Sequence, residues 1–169
     1  MGISIRIQFL VATAALVAGC ANTKSSMHAP GDNASPQAFE RTPLSSAHPL
    51  VGVWRVEVAK TVLRPPSGYD SKCIEEYAIR ADGTKSSMSG EERNVSEFMI
   101  APASKGVYWY KWVDKITTNN GKPDCMGSHT AIGHTAVNYV ILHPSGDRFA
   151  LCEREELNSC YVELFKQVR

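Results

Sequence analysis

Cys125, His129 and His134, with Asp114 and Asp124 beside them, are the residues whose types come nearest to a reactive or metal-binding set. Thiolate and imidazole are the usual ligands of a zinc centre. As a trio, however, they lack the spacing of one helical face, and Cys125 reads as half of a disulfide. No metal site or cofactor is expected. A hydrolase would need convergent polar groups, and Asp114, Asp124, His129 and His134 form the only such set near one loop. Three acidic doublets, Glu75-Glu76, Glu91-Glu92 and Glu155-Glu156, invite comparison with the paired carboxylates of a glycosidase. Neighbours on a strand point to opposite faces, so the doublets read as solvated strand edges and turns. The chain has no His-Glu-x-x-His, Gly-x-Ser-x-Gly or Ser-x-x-Lys motif, and Gly121-Lys122 lacks the earlier glycine of a phosphate loop. No catalytic residue is assigned, and the chain reads as a binding protein rather than an enzyme.

Two segments fit binding. Gly106–Ile116 is apolar on both faces, with Tyr108, Tyr110 and Trp112 in one row and Val107, Trp109 and Val113 opposite, beside Lys111 and Lys115. One row must fill an interior. The other is either covered, for instance by the chain near Phe39 and Leu44, or exposed as a patch that marks a partner. The second segment is the polar stretch Thr117–Asp124, ending at Cys125. Long loops without regular structure are commonly functional, so Asn119, Asn120, Lys122 and Asp124 join Trp109 and Val113 as candidate binding residues. As exposed loop residues, these four are expected to matter little for folding.

The elements around them are strands. Val51–Lys60 alternates, with Trp54, Val56 and Val58 on one face. Cys73–Arg80 places Tyr77 and Ile79 together, and Asp82-Gly83 marks a hairpin turn. Thr84–Arg93 is a polar strand, and Val95–Ile100 follows with Phe98 and Ile100 inward. Gly106–Ile116, Ala136–His143, Arg148–Glu153 and Cys160–Val168 complete the series, with no helical segment of useful length. Eight short strands joined by hairpins predict an all-β, eight-stranded antiparallel up-and-down barrel, since closure removes both free edges. A two-sheet β-sandwich is the alternative. Seven large aromatics, at positions 77, 98, 108, 110, 112, 139 and 149, predict that a barrel this small has a filled interior.

Meander topology puts every second connection at the same end. Cys73, Cys125, Cys152 and Cys160 then all fall at one end, which predicts disulfides Cys73–Cys125 and Cys152–Cys160. The tripeptide Gly52-Val53-Trp54 resembles the first-strand Gly-x-Trp of the lipocalin-like (calycin) barrels. That resemblance implies a basic side chain from near the C-terminus, Lys166 or Arg169, lying over the indole.

The N-terminus indicates a compartment. Ile7–Ala18 is mostly apolar, Arg6 is the only charge before it, and Ala18-Gly19-Cys20 closes the run. It is shorter than the roughly 20 residues that cross a bilayer. Leu16-Val17-Ala18-Gly19-Cys20 resembles the lipobox of bacterial lipoproteins. The resemblance implies cleavage before Cys20, lipidation of its sulfur, and, with Ala21 rather than Asp next, residence in the outer membrane on the periplasmic side. An even set of four cysteines beyond Cys20 suits that exported setting. The expected organisation is a signal peptide over 1–19, a lipid-anchored flexible linker over 20–48, and a barrel over 49–169.

Charge narrows the partners. Without residues 1–19 the chain loses Arg6, one of its 18 Lys+Arg, and the remaining 17 balance 17 Asp+Glu. A nucleic-acid binder carries a basic excess, so nucleic acid is not an expected partner. The leading expectation is a non-catalytic envelope lipoprotein that binds another protein through loops at one barrel end, as inhibitors and immunity proteins do. The alternatives are a carrier of a small apolar ligand and a periplasmic hydrolase.

Overall fold

Eight strands follow one another around a closed antiparallel barrel, each hydrogen-bonded to its sequence neighbours and the first to the last. In the computed structural model they are β1 Gly52–Val56, β2 Glu75–Ile79, β3 Thr84–Ser89, β4 Glu92–Pro102, β5 Trp109–Asn119, β6 Thr135–Leu142, β7 Arg148–Cys152 and β8 Cys160–Lys166. The structure describes residues 39–57, 63, 69 and 72–168. The segment expected to be a signal peptide, most of the expected linker, with Cys20 as the expected lipidation site, and Arg169 lie outside the described residues. Among those described, the only helical element is a three-residue 3-10 turn at Leu157–Ser159.

Alternation fixes which side chains enter the barrel. Trp54, Ile79, Phe98, Trp112, Val140, Leu142, Phe149, Leu151 and Leu164 form one buried apolar cluster with Leu50. Its aromatic rings interlock: Trp54 meets Phe149 edge-on at 4.8 Å, and Phe98 meets Trp112 at 4.7 Å. The chain before β1 closes this end. The Trp54 indole donates to the Leu50 carbonyl at 2.8 Å, and Leu44 packs on the cluster. The Lys166 ammonium lies 5.1 Å from the Trp54 ring centroid and donates to the Pro49 carbonyl at 3.0 Å. Lys166 therefore takes the basic position over the indole. Gly52 is required beneath it, because its φ is +141° and a Cβ there would meet Lys166 Cε at 3.1 Å.

Several expected boundaries move. Residues 41–48, read as linker, are docked on the barrel: Thr42 N–H donates to the Phe98 carbonyl and Leu44 N–H to that of Ala81. The break between the third and fourth strands falls at Gly90-Glu91 rather than at Asn94. Gly90 has φ +57°, a backbone conformation that favours glycine, and a Cβ there would crowd Cys73 Sγ and the Asp124 backbone at 3.2 Å. The fifth strand begins at Trp109 and runs to Asn119, leaving Val107 and Tyr108 exposed before it. Tyr139 sits on the outward parity of β6, between the inward Asn138 and Val140.

Candidate functional site

The two disulfides, Cys73–Cys125 and Cys152–Cys160, join the pairs expected from meander topology, and both lie at the barrel end opposite the Trp54 plug. Cys125 is thereby committed to a bridge and is not a thiolate ligand. The β5–β6 connection is tied down around the first bridge. Glu91 and Glu92 N–H both donate to the Pro123 carbonyl, Gly90 N–H donates to Ile74, and Cys125 N–H donates to Ser89 Oγ.

The predicted loop residues mostly hold this connection in shape. Asp124 Oδ1 accepts from Met126 and Ser128 N–H, both at 2.8 Å. Asn120 Oδ1 accepts from Arg93 and Lys122 N–H, while its amide donates to the Glu91 carbonyl. Asn119 Oδ1 accepts from Gly121 N–H, and its amide donates to Glu92 at 2.6 Å. Short Asn and Asp side chains turn back on their own backbone readily. Only Lys122, exposed and 3.6 Å from Glu91, stands free of such duty. The expectation that these residues leave folding untouched is therefore corrected for Asn119, Asn120 and Asp124 and stands for Lys122 alone. Replacing Asn119, Asn120 and Asp124 together by alanine should lower stability by about 3 kcal/mol, since the bonds lost are partly exposed and fall at the low end of about 0.5–1.5 kcal/mol each. A Tm equal to the parent's would return these side chains to a solvent role.

The β5 patch is corrected as well. Trp109 is 9% exposed and Val113 is half-buried, so the outward row is not an open apolar face. Apolar exposure at the disulfide end comes instead from the β5–β6 connection, where Met126 is 47% and Ile132 65% exposed.

Inside that rim the barrel is not filled. A cavity of about 250 Å³ is lined by Glu75, Tyr77, Lys85, Ser87, Ser89, Glu92, Asn94, Asp114, Asp124, Thr130, His134, Asn138 and Tyr161, with a few apolar neighbours. Below it a pocket of about 20 Å³ reaches Trp112 and Phe149. Lys85 and Asp114 form a buried ion pair across the cup. Glu92, 3% exposed, accepts from Asn119, from Thr130 N–H at 2.6 Å, and from Asn94. The Tyr77 hydroxyl donates to Glu75 at 2.7 Å, the Tyr161 hydroxyl donates to Asn138 at 2.7 Å, and Ser87 is bonded to Asn94.

Burial dominates the electrostatics. It raises the Glu75 carboxyl above its ordinary range, an effect that the Tyr77 hydroxyl opposes. It pushes the Tyr77 phenol well up, aided by the Glu75 charge, and the Tyr161 phenol up to about 12. Both phenols thus remain donors across the physiological range.

Two of the three doublets are corrected by the same alternation that was applied to them, while Glu155-Glu156 stays in the surface turn before β8. Glu76 points outward to Arg55 at 3.0 Å, but Glu75 faces the cup. Glu91 meets Lys122 outside, while Glu92 is buried inside. Of the hydrolase set, Asp114, Asp124 and His134 line the cup and His129 does not. Sequence reasoning missed Lys85, Ser87, Asn94, Asn138 and Tyr161. Part of the signal was present: along β2 (Ile79, Tyr77, Glu75) and β4 (Phe98, Ser96, Asn94, Glu92) the inward parity turns from apolar to polar toward the disulfide end.

Fold and site together define a closed antiparallel β-barrel with one plugged end and one polar, disulfide-pinned mouth. Comparison with protein-family models, curated proteins and solved structures finds no match to this chain.

Proposed function

We propose that this protein is a non-catalytic envelope lipoprotein that binds another protein at the disulfide-pinned mouth. The observation that carries this reading is the mouth's construction. A connection cross-linked to the barrel, and bonded throughout to its own backbone, presents Met126 and Ile132 at a fixed rim around a polar recess. Preorganised loops bind at a lower entropic cost, and exposed apolar side chains within a polar rim are the common form of an interface centre. The chain before β1 reaches the barrel at the plugged end. In this reading the protein is tethered through Cys20 to the periplasmic face of the outer membrane. Most carboxylates and hydroxyls of the cup are bonded to neighbouring side chains or backbone, which suits recognition better than turnover.

In-cell photo-crosslinking tests this. A crosslinker at His129 should yield one discrete protein adduct, whereas one at Ser145 in the β6–β7 turn should yield none. Met126→Ser with Ile132→Ser should abolish the adduct without lowering Tm, and Cys20→Ser should release the protein from washed membranes. Equal adducts from both ends, or a Cys20→Ser protein retained on membranes, would sink the reading.

A second observation favours the apolar-carrier alternative. A cavity of about 580 Å³ lies along the outward residues Ile141 and Ala150, with Leu63, Tyr108 and Leu157 around it, which is within the usual size of a small-ligand site. A lipid-sized mass retained in native mass spectrometry would favour that reading.

A further inference from the structure

We propose that the polar cup binds a small organic cation, a guanidinium or primary ammonium group entering through the disulfide-pinned mouth. Four carboxylates line the cavity, those of Glu75, Glu92, Asp114 and Asp124, and Lys85 is the only lysine or arginine among its lining residues. Lys85 is already engaged by Asp114. Glu92 is almost wholly buried and is bonded to amide donors rather than to a cation. Buried carboxylates ordinarily have a counter-charge. An excess of negative charge in a low-dielectric recess repels phosphates and carboxylates and draws in a cation.

A separate observation points to a ligand at the floor. The Trp112 indole nitrogen, in a residue 3% exposed, has no hydrogen-bond partner, and neither does Asp114 Oδ1. Both residues line the lower pocket, with Tyr77, Lys85 and Asn138. Unpartnered buried polar groups are rare, and each calls for an explanation. A guanidinium or ammonium N–H would satisfy Asp114 Oδ1, and an amide or hydroxyl oxygen on the same ligand would accept from Trp112.

The walls suit a cation too. The Lys85 ammonium already lies 4.9 Å from the Tyr77 ring centroid and 5.8 Å from that of Trp112, the range of cation–π attraction. The volume, about 250 Å³, is below that of a drug-sized site and admits one side chain or a small solute. The cation therefore has two possible sources: a free amine, or an arginine or lysine of a bound protein.

Titration of the 15N-labelled full chain tests this independently of any cross-linked partner. The probes are N-acetyl-argininamide, its neutral isostere N-acetyl-citrullinamide, agmatine, and a hexapeptide with a central arginine. The readout is the Trp112 indole N–H resonance, assigned by Trp112→Phe. The Trp54 indole, bonded to Leu50 at the plugged end, serves as the unmoved control. N-acetyl-argininamide should shift Trp112 saturably and the citrulline isostere should bind at least tenfold more weakly, as loss of a charge-assisted hydrogen bond implies. Glu75→Gln should weaken the arginine probe by roughly tenfold while leaving Trp54 in place. Tighter binding of the hexapeptide identifies a partner's side chain as the source, and tighter binding of agmatine identifies a free solute. Equal binding of the two isosteres, no shift at Trp112, or unchanged affinity in Glu75→Gln would overturn the proposal.

Discussion

Replacing Trp54 by alanine should cost about 3–5 kcal/mol, the usual loss for a large aromatic cut from a packed core. The indole is fully buried, stacks edge-on against Phe149, donates to Leu50 and lies beneath Lys166. It joins the wall of the barrel to the chain that plugs it. Its removal leaves a cavity and orphans a buried carbonyl, and the Lys166 ammonium loses the ring it covers. Typical domains are stable by about 5–15 kcal/mol, so the variant should melt far below the parent or fail to fold. Trp54→Phe keeps most of the volume and should lose less. Chemical denaturation measures both. A Trp54→Ala midpoint equal to the parent's would show that the plug contributes nothing to the barrel.

Legibility in the sequence followed the period-two signal. Trp54, Tyr77, Ile79, Phe98 and Ile100 fall on the inward parity that alternation predicts, and the cysteine pairs follow from counting hairpins. The misreadings came where polarity was taken as exposure. Thr84–Arg93 reads from its sequence as a polar strand, yet Lys85 is buried on its inward row. Glu75 and Glu92 were read as solvated, because a carboxylate inside a small barrel is costly without partners. Tyr77 and Asn94 sit two residues along the same strands, on the same inward parity, whereas Asn119 and Thr130 come from the end of β5 and the connection after it, and that long-range pairing is not written in local composition. Likewise, Asn119, Asn120 and Asp124 have the composition of a free loop, and only the Cys73–Cys125 bridge shows what they hold.

Breaking the Lys85–Asp114 pair from one side should be the second large effect, about 3–5 kcal/mol, because the remaining charge is left buried without its counter-ion. The two side chains are only 11% and 9% exposed, so solvent screens the pair little. Lys85→Met leaves the Asp114 carboxylate facing Glu75 and Glu92 across the cup with no lysine between them. Asp114→Asn leaves the Lys85 ammonium held only by the Tyr77 and Trp112 rings. The double variant Lys85→Met with Asp114→Leu removes both charges and should recover most of the loss, since a buried pair gains little over apolar side chains of similar size. Near-complete recovery would mean that the pair is maintained for what it does in the cup rather than for the fold. A double variant as unstable as the singles would instead make the pair a structural keystone, and a Lys85→Met protein as stable as the parent would show that the cup tolerates its negative charge unaided.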